Sequence, residues 1–219
     1  TAIEGRAAGF TLDGSGEAGP DVLSLSAMLR PEGGFGRLQV DAEMGPGGIQ
    51  AELSGEDLVF ADLSYLDRAQ LTLSGPLEGA ALSVSAAGAY GAAFEVSGEG
   101  EAALAGGTRG VSTTLEGRYG AVALSTRAPI TLRVAPSLSL DADLTLGEGR
   151  GRFAYSDGDA PRLEARLEDA PAALLSLRRA REPVEGRLSG EALLTRREGV
   201  WTGDVTLSGD GLRPARSAE

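Results

Sequence analysis

The sequence predicts an all-β protein: an elongated antiparallel meander with one apolar and one polar face, and one short helix near residues 169–180. Three observations carry that prediction. Apolar and polar residues alternate with a period of two along almost the whole chain, which places them on opposite faces of strands. Turn-forming dipeptides separate the alternating runs at short intervals, which permits antiparallel neighbours and leaves no room for crossover helices. Glycine is abundant, 33 of 219 residues, while 42% of residues are hydrophobic and only 5% aromatic, so the chain can bury apolar surface without large side chains.

In chain order, Leu23, Leu25, Ala27 and Leu29 alternate with Ser24, Ser26 and Met28, and Leu38, Val40 and Ala42 with Gln39 and Asp41. Shorter runs follow at Leu71-Thr72-Leu73, Leu82-Ser83-Val84, Phe94-Glu95-Val96 and Val122-Ala123-Leu124. Ile130, Leu132 and Val134 precede the longest run, in which Leu138, Leu140, Ala142, Leu144 and Leu146 alternate with Ser139, Asp141, Asp143 and Thr145. Turns are expected at Asp13-Gly14, Gly45 to Gly48, Gly75-Pro76, Gly106-Gly107 and Asp157-Gly158. This spacing gives about a dozen to fifteen strands of roughly 6 to 9 residues.

An internal repeat reinforces the pattern. A tripeptide ending in Gly recurs as Leu53-Ser54-Gly55, Leu73-Ser74-Gly75, Leu77-Glu78-Gly79, Val96-Ser97-Gly98, Leu115-Glu116-Gly117, Leu188-Ser189-Gly190 and Leu207-Ser208-Gly209, with several spacings of 19 or 20 residues. That interval is one hairpin, so the repeated unit reads as a hairpin stacked along an axis. One stretch differs. From Asp169 to Ala180 the residues favour a helix, with Asp169 as N-cap, Pro171 in the first turn, Arg178 and Arg179 near the end, and Leu174, Leu175 and Leu177 facing the sheet. The expected organisation is one elongated segment over 1–219, part of a longer chain, with that helix preceding a strand group at 184–212.

Composition removes much chemistry. Cys, His, Lys and Asn are all absent, which excludes a thiolate nucleophile, an imidazole base, a disulfide, a conventional zinc site and a P-loop lysine. A net charge of −12, from 32 acidic and 20 basic residues, argues against nucleic acid, whose binding requires clustered cations. Gly14, Gly16 and Gly19 form a G-x-G-x-x-G, but the alternation after Pro20 is that of a strand and not of the helix a dinucleotide site needs. Asp157 and Asp159, with Asp141, Asp143 and Glu148, match no calcium loop and no spaced carboxylate pair, and read as solvated turn and strand residues. Trp201 reads as a packing aromatic, and Arg178, Arg179, Arg181, Arg196 and Arg197 as exposed charges. No enzyme, cofactor or metal is expected.

The segment Leu167-Glu168-Asp169-Ala170-Pro171-Ala172-Ala173-Leu174-Leu175, followed by Val184 to Gly190 and by Trp201 to Gly209, resembles the repeat region of TamB and its AsmA-like relatives, which pair a "dLPl-ll" segment with a "G-l-sG" strand pair. The glycine-punctuated alternation of Leu71 to Gly98 is similar in texture. The resemblance implies a taco-shaped sheet, an antiparallel meander curled into a U-shaped groove with an apolar interior, that carries phospholipid across the periplasm. In that family an N-terminal helix anchors the protein to the inner membrane and an outer-membrane assembly barrel is the distal partner, both through regions outside this segment. The residues expected to line the groove are Leu71, Leu73, Leu82, Val84, Phe94, Val96, Val122, Leu124, Ile130, Leu132, Val134, Leu138, Leu140, Leu144 and Leu146. The alternative reading is a structural or adhesive β-solenoid, a stalk whose inner face is a closed dry core.

Overall fold

The structure is a computed structural model that describes residues 2–7, 10–31, 35–60, 64–158, 160–176 and 184–214. It is all-β, with antiparallel strands that pair with their neighbours in chain order. Contacts between residues divide the chain into two units, 1–105 and 106–219.

The first unit holds β1 (Ala2–Ala7), β2 (Phe10–Ala18), β3 (Leu23–Pro31), β4 (Phe35–Gly45), β5 (Gly48–Phe60), β6 (Ser64–Gly75), β7 (Ala80–Tyr90) and β8 (Ala92–Ala103). The second holds β9 (Arg109–Tyr119), β10 (Val122–Ala135), β11 (Ser139–Leu146), β12 (Gly149–Ser156), β13 (Arg162–Pro171), β14 (Val184–Arg197) and β15 (Val200–Pro214). Many strands exceed the expected 6 to 9 residues, up to 15 in β15, and in some of them a bulge lets the strand continue through a break in its alternation.

Three such bulges matter. In β5, Asp57 has φ of +52° and the β4–β5 register shifts by one residue beside it, which turns the even-numbered Leu58 onto the face occupied by the odd-numbered Leu53 and Ala51. Leu58 is 2% exposed. In β10 the register slips around Arg127 to Ile130 against both neighbours, as it must where Pro129 cannot donate to a ladder. The slip is by two residues in all, so Val122 and Leu124 remain on the same face as Ile130 and Leu132.

The third bulge falls inside the expected helix. Asp169, read from sequence as an N-cap, is instead a residue of β13 with φ of +49°, and its N–H donates to Ser189 Oγ at 2.9 Å. The shift it introduces places Ala170 opposite Leu188. Pro171 closes the strand, and the helical part is a single 3-10 turn, Ala172–Ser176. The strand wins because Ala170 and Pro171 can pair with Leu188 and Arg187, an option that local propensity does not include. Leu177, Arg178, Arg179 and Ala180 lie outside the described residues.

Candidate functional site

Register assembles the apolar residues of each unit onto one face. In the first unit Val40, Leu53, Leu71 and Val84 stand opposite one another across β4 to β7, and Ala42, Ala51, Leu73 and Leu82 form the next row. Phe94 and Val96 of β8 lie opposite Gly88 and Ala86 of β7, so all six groove residues expected in this unit share a face. A further row, Leu58, Leu66, Gly88 and Phe94, exists because of the Asp57 bulge in β5 together with the register shift between Leu66 and Arg68 in β6.

In the second unit Leu124 faces Leu146, Thr126 faces Leu144 and Leu132 faces Leu140. Val122, Ile130 and Val134 follow the same side of β10. The same rows continue through Phe153 and Ala165 to Ala192 and Val205, and through Tyr155 and Leu163 to Leu194 and Gly203. Leu138 is the exception, since it precedes β11 in the turn, where its carbonyl accepts the Asp157 N–H at 2.7 Å.

The exposure of these side chains decides what the face can do. Leu82, Val122 and Leu146 are buried, whereas Leu71, Leu73, Val84, Phe94, Val96, Leu124, Ile130, Leu140 and Leu144 are only half-buried. Leu132, Val134 and Leu138 are exposed, Val134 by 57%. Along β10 and β11 the face therefore passes from a closed end at Val122 and Leu146 to an open end at Val134 and Leu138. Buried Ala170, Ala172 and Leu188 belong to the same small core as the closed end, and a side chain on Gly147 would meet both Pro171 and Val122. In the first unit Leu58 and Leu82 are buried as well, whereas the other leucines and valines of the aligned rows stay partly open to water.

The opposite face is hydrophilic and ion-paired. Asp143, opposite Arg152 in the ladder, accepts two hydrogen bonds from Arg150, Nε to Oδ1 at 2.9 Å and Nη2 to Oδ2 at 2.5 Å, which hold its carboxyl below the usual carboxylate range. Asp141 lies 3.8 Å from Arg152, and Glu148 pairs with Arg187. Arg37 pairs with Glu56 at 3.0 Å and Arg68 with Glu95 at 2.9 Å. Asp41 accepts from Ser26 at 2.6 Å and from Gln39 at 2.7 Å, which lowers its pKa.

Surface hollows open on this hydrophilic side. One of about 610 Å³ is lined by Glu17, Asp41, Glu43 and Glu52 with serines and Gln50, and one of about 480 Å³ by Arg133, Asp141, Arg162 and Glu164 among others. Their linings suit water and ions, not hydrocarbon.

The remaining sequence candidates fall into structural roles. Gly14 and Gly16 lie within β2, and Gly19 N–H donates to Val22 O at 2.7 Å in the hairpin turn. Asp157 accepts the Gly158 N–H at 3.2 Å in the β12–β13 turn, and Asp159 lies outside the described residues. Arg196 and Arg197 end β14 as exposed residues, and Arg178, Arg179 and Arg181 are outside the described residues. Trp201 is 41% exposed and shares its side of β15 with Val205 and Leu207. Among the described residues no group of acidic side chains is arranged to hold a metal ion, and no buried side-chain polar atom lacks a hydrogen bond.

Several residues of the face escaped the sequence list of groove positions: Leu58, Leu66, Phe153, Leu163, Leu194, Val205 and Leu207. Phe153 and Tyr155 share the parity of Gly149 and Gly151 and alternate with Arg150, Arg152 and Ala154, a signal thinned by the glycines. Leu58 and Leu66 gave no parity signal, because bulges precede and follow them. No protein-family model, curated protein or solved structure matches the chain.

Proposed function

We propose that the apolar face shelters phospholipid acyl chains, so that the chain acts as a non-catalytic, lipid-conducting β-sheet segment. The observation that carries this reading is a face of aligned leucines, valines and alanines, continuous through successive strands within each unit, many of whose members stay half-exposed although Leu58, Leu82, Val122 and Leu146 are buried. Extended apolar surface of this kind is uncommon on soluble proteins unless something covers it. The likeness of Leu167 to Gly190 to the TamB and AsmA-like repeat region supplies the occupant and the setting: phospholipid in passage between inner and outer membranes, through the periplasm, in support of outer-membrane assembly. Inner-membrane anchoring and contact with an assembly barrel belong, in this reading, to regions outside the segment.

Energetics favour an apolar track over a set of polar sites. Each methylene withdrawn from water is worth about 0.8 kcal/mol, so an acyl chain of about sixteen carbons left bare costs on the order of 10 kcal/mol. A face built of Ala, Val and Leu offers similar contacts from one row to the next and fixes no headgroup, which favours sliding over trapping.

Neighbouring residues on β7 provide the test. Val84 points to the apolar face, and Ser83 to the hydrophilic one, between Thr72 and Glu99. Val84→Arg is expected to abolish the uptake of fluorescent phospholipid, and Ser83→Arg to leave it unchanged. Equal uptake by both variants, with strand content intact by circular dichroism, would contradict the proposal and favour an inert stalk.

A further inference from the structure

The apolar face of the second unit carries charge at one end only. On the regular stretches of β9 to β15 that face consists of Leu, Val, Ile, Ala, Thr, Gly and aromatic residues, with two exceptions, Arg109 and Arg196. Arg109 alternates with Gly110 onto the side of Val111 and stands opposite Ala135, and Arg196 follows Leu194 on its side of β14, opposite Trp201. Both sit at the open end. Register sets Arg133, Ser139, Ser156, Arg162 and Thr195 in one row across β10 to β14, and Val134 and Arg196 each lie one residue beyond it, as Arg109 does beyond Gly110. The arginines of the hydrophilic face are placed differently: Arg150, Arg152, Arg162, Arg166, Arg187 and Arg213 all pair with carboxylates. Among the described residues neither Arg109 nor Arg196 forms an ion pair, and the Arg196 guanidinium donates only from Nε, to Gly199 O at 3.3 Å, which leaves its Nη groups for an outside anion.

We infer that this end of the face is where the phosphodiester of a phospholipid is held, by Arg109 and by Arg196, while the tails run along the strands toward the closed end at Val122 and Leu146. The inference rests on the reading of the face as an acyl-chain track and adds to it the polar group recognised and the direction in which the lipid lies. The two arginines stand on β9 and β14, too far apart across the sheet to share one phosphate, so each serves a lipid of its own. An arginine suits the position: its aliphatic stem lies along apolar surface while its planar guanidinium, at the boundary with water, matches two phosphate oxygens at once. Trp201, across from Arg196, is an amphipathic ring of the kind that favours such a boundary. The length also fits. Leu138 and Leu146 are separated by about 26 Å of strand, whereas a tail in one leaflet fills about 15 Å, half the hydrocarbon thickness of a bilayer. A lipid with its phosphate at the arginines therefore keeps its whole tail on the face, and the rest of its head extends beyond the rim into water. Exposed ion pairs hold a phosphate lightly, so the lipid is oriented without being trapped.

The test compares two fluorescent lipids with the same tails, phosphatidylglycerol, which has the phosphate, and diacylglycerol, which lacks it. At low salt the chain should bind phosphatidylglycerol about fivefold more tightly, a preference that added salt should screen. Arg109→Gln with Arg196→Gln should erase the preference. Arg133→Gln with Arg162→Gln, which removes the same charge from the hydrophilic face at the same end of the sheet, should keep it. Phosphatidylglycerol brominated near the ester end of its tails should also quench Trp201 more than one brominated near the methyl end. Binding of both lipids with no preference, a preference that survives the loss of Arg109 and Arg196, its equal loss in the hydrophilic-face pair, or the reverse order of quenching would each overturn this inference and leave the acyl-chain track standing. Binding of neither lipid by the unsubstituted chain would remove the track itself, and this inference with it.

Discussion

Leu58, Gly149 and Asp143 show how single residues hold a one-sided sheet together. Leu58 is the largest fully buried side chain among the described residues, and it is there because Asp57 adopts a left-handed conformation that re-aims the strand. Leu58→Ala should destabilise the chain by about 2–5 kcal/mol, read as a lower denaturation midpoint, because its neighbours on the ladder cannot collapse into the space. Gly149 lies against the Asp169 carbonyl, and any Cβ there would strike that oxygen. Gly149→Ala should therefore cost more than about 1 kcal/mol in chemical denaturation. Asp143 has its pKa lowered chiefly by the hydrogen bond from Arg150, with attraction from Arg150, Arg127 and Arg152 adding to it and slight burial opposing it. A group whose folded-state pKa lies below its unfolded value contributes stability at higher pH and loses it as pH falls from about 4, the ordinary aspartate value, through the folded-state pKa. Asp143→Asn should remove part of the acid limb of a stability–pH profile and leave the slope above pH 6 unchanged. The partly exposed pair makes this a small effect, visible as a change of slope and not as loss of the fold.

At the scale of elements, strands of simple alternation were legible in the sequence and their interruptions were not. Leu23 to Leu29 and Leu138 to Leu146 have unbroken parity, and register puts the apolar members of β3 and β11 on one face as expected. Parity fails at Asp57, Arg127 to Ile130 and Asp169, where a bulge depends on the strand next door and on no local propensity. The same limit explains the short helix. Asp169 to Ala173 contains good capping and helix-forming residues, yet Ala170 and Pro171 gain more by pairing with Leu188 and Arg187 than a further helical turn would give. Of the residues on the apolar face, those on regular strands could be found from spacing alone. Leu58 and Leu66 required the pairing partners to be known, and which members of the face are buried and which stay half-exposed is a tertiary property with no sequence signal. Pairing also sets local stability. Amide hydrogen exchange should be slow in β5 to β7, which are paired on both sides, and faster at the bulges, where the ladder is interrupted.

For the molecule as a whole, contacts are almost entirely between successive strands, with the 3-10 turn against β14 as the main addition. Stability is then a sum of hairpins and of the interfaces between neighbours, as in repeat proteins. The division at residues 105 and 106 predicts that unfolding is not a single transition. A substitution such as Leu58→Ala should shift one phase, reported by amides of 1–105, and leave Trp201 fluorescence, which belongs to 106–219, on its original curve. One coincident transition for both probes would contradict this. The hydrophilic faces differ as well. The carboxylates of 141–168 are largely matched by arginines, whereas those of 1–105 are left in excess, which keeps that unit in solution beside its exposed apolar face.

The central claim is that acyl chains lie against the apolar face, and Trp201 is placed to report it. It is the only tryptophan in the chain, it shares its side of β15 with Val205 and Leu207, and it remains partly open. Phospholipids brominated along their acyl chains should quench its emission, and unbrominated lipid of the same headgroup should not. A choline headgroup brominated without its tails should also be without effect. Emission that is unchanged by tail-brominated lipid at saturating concentration would show that hydrocarbon does not reach this face, and the sheet would then be a scaffold without cargo.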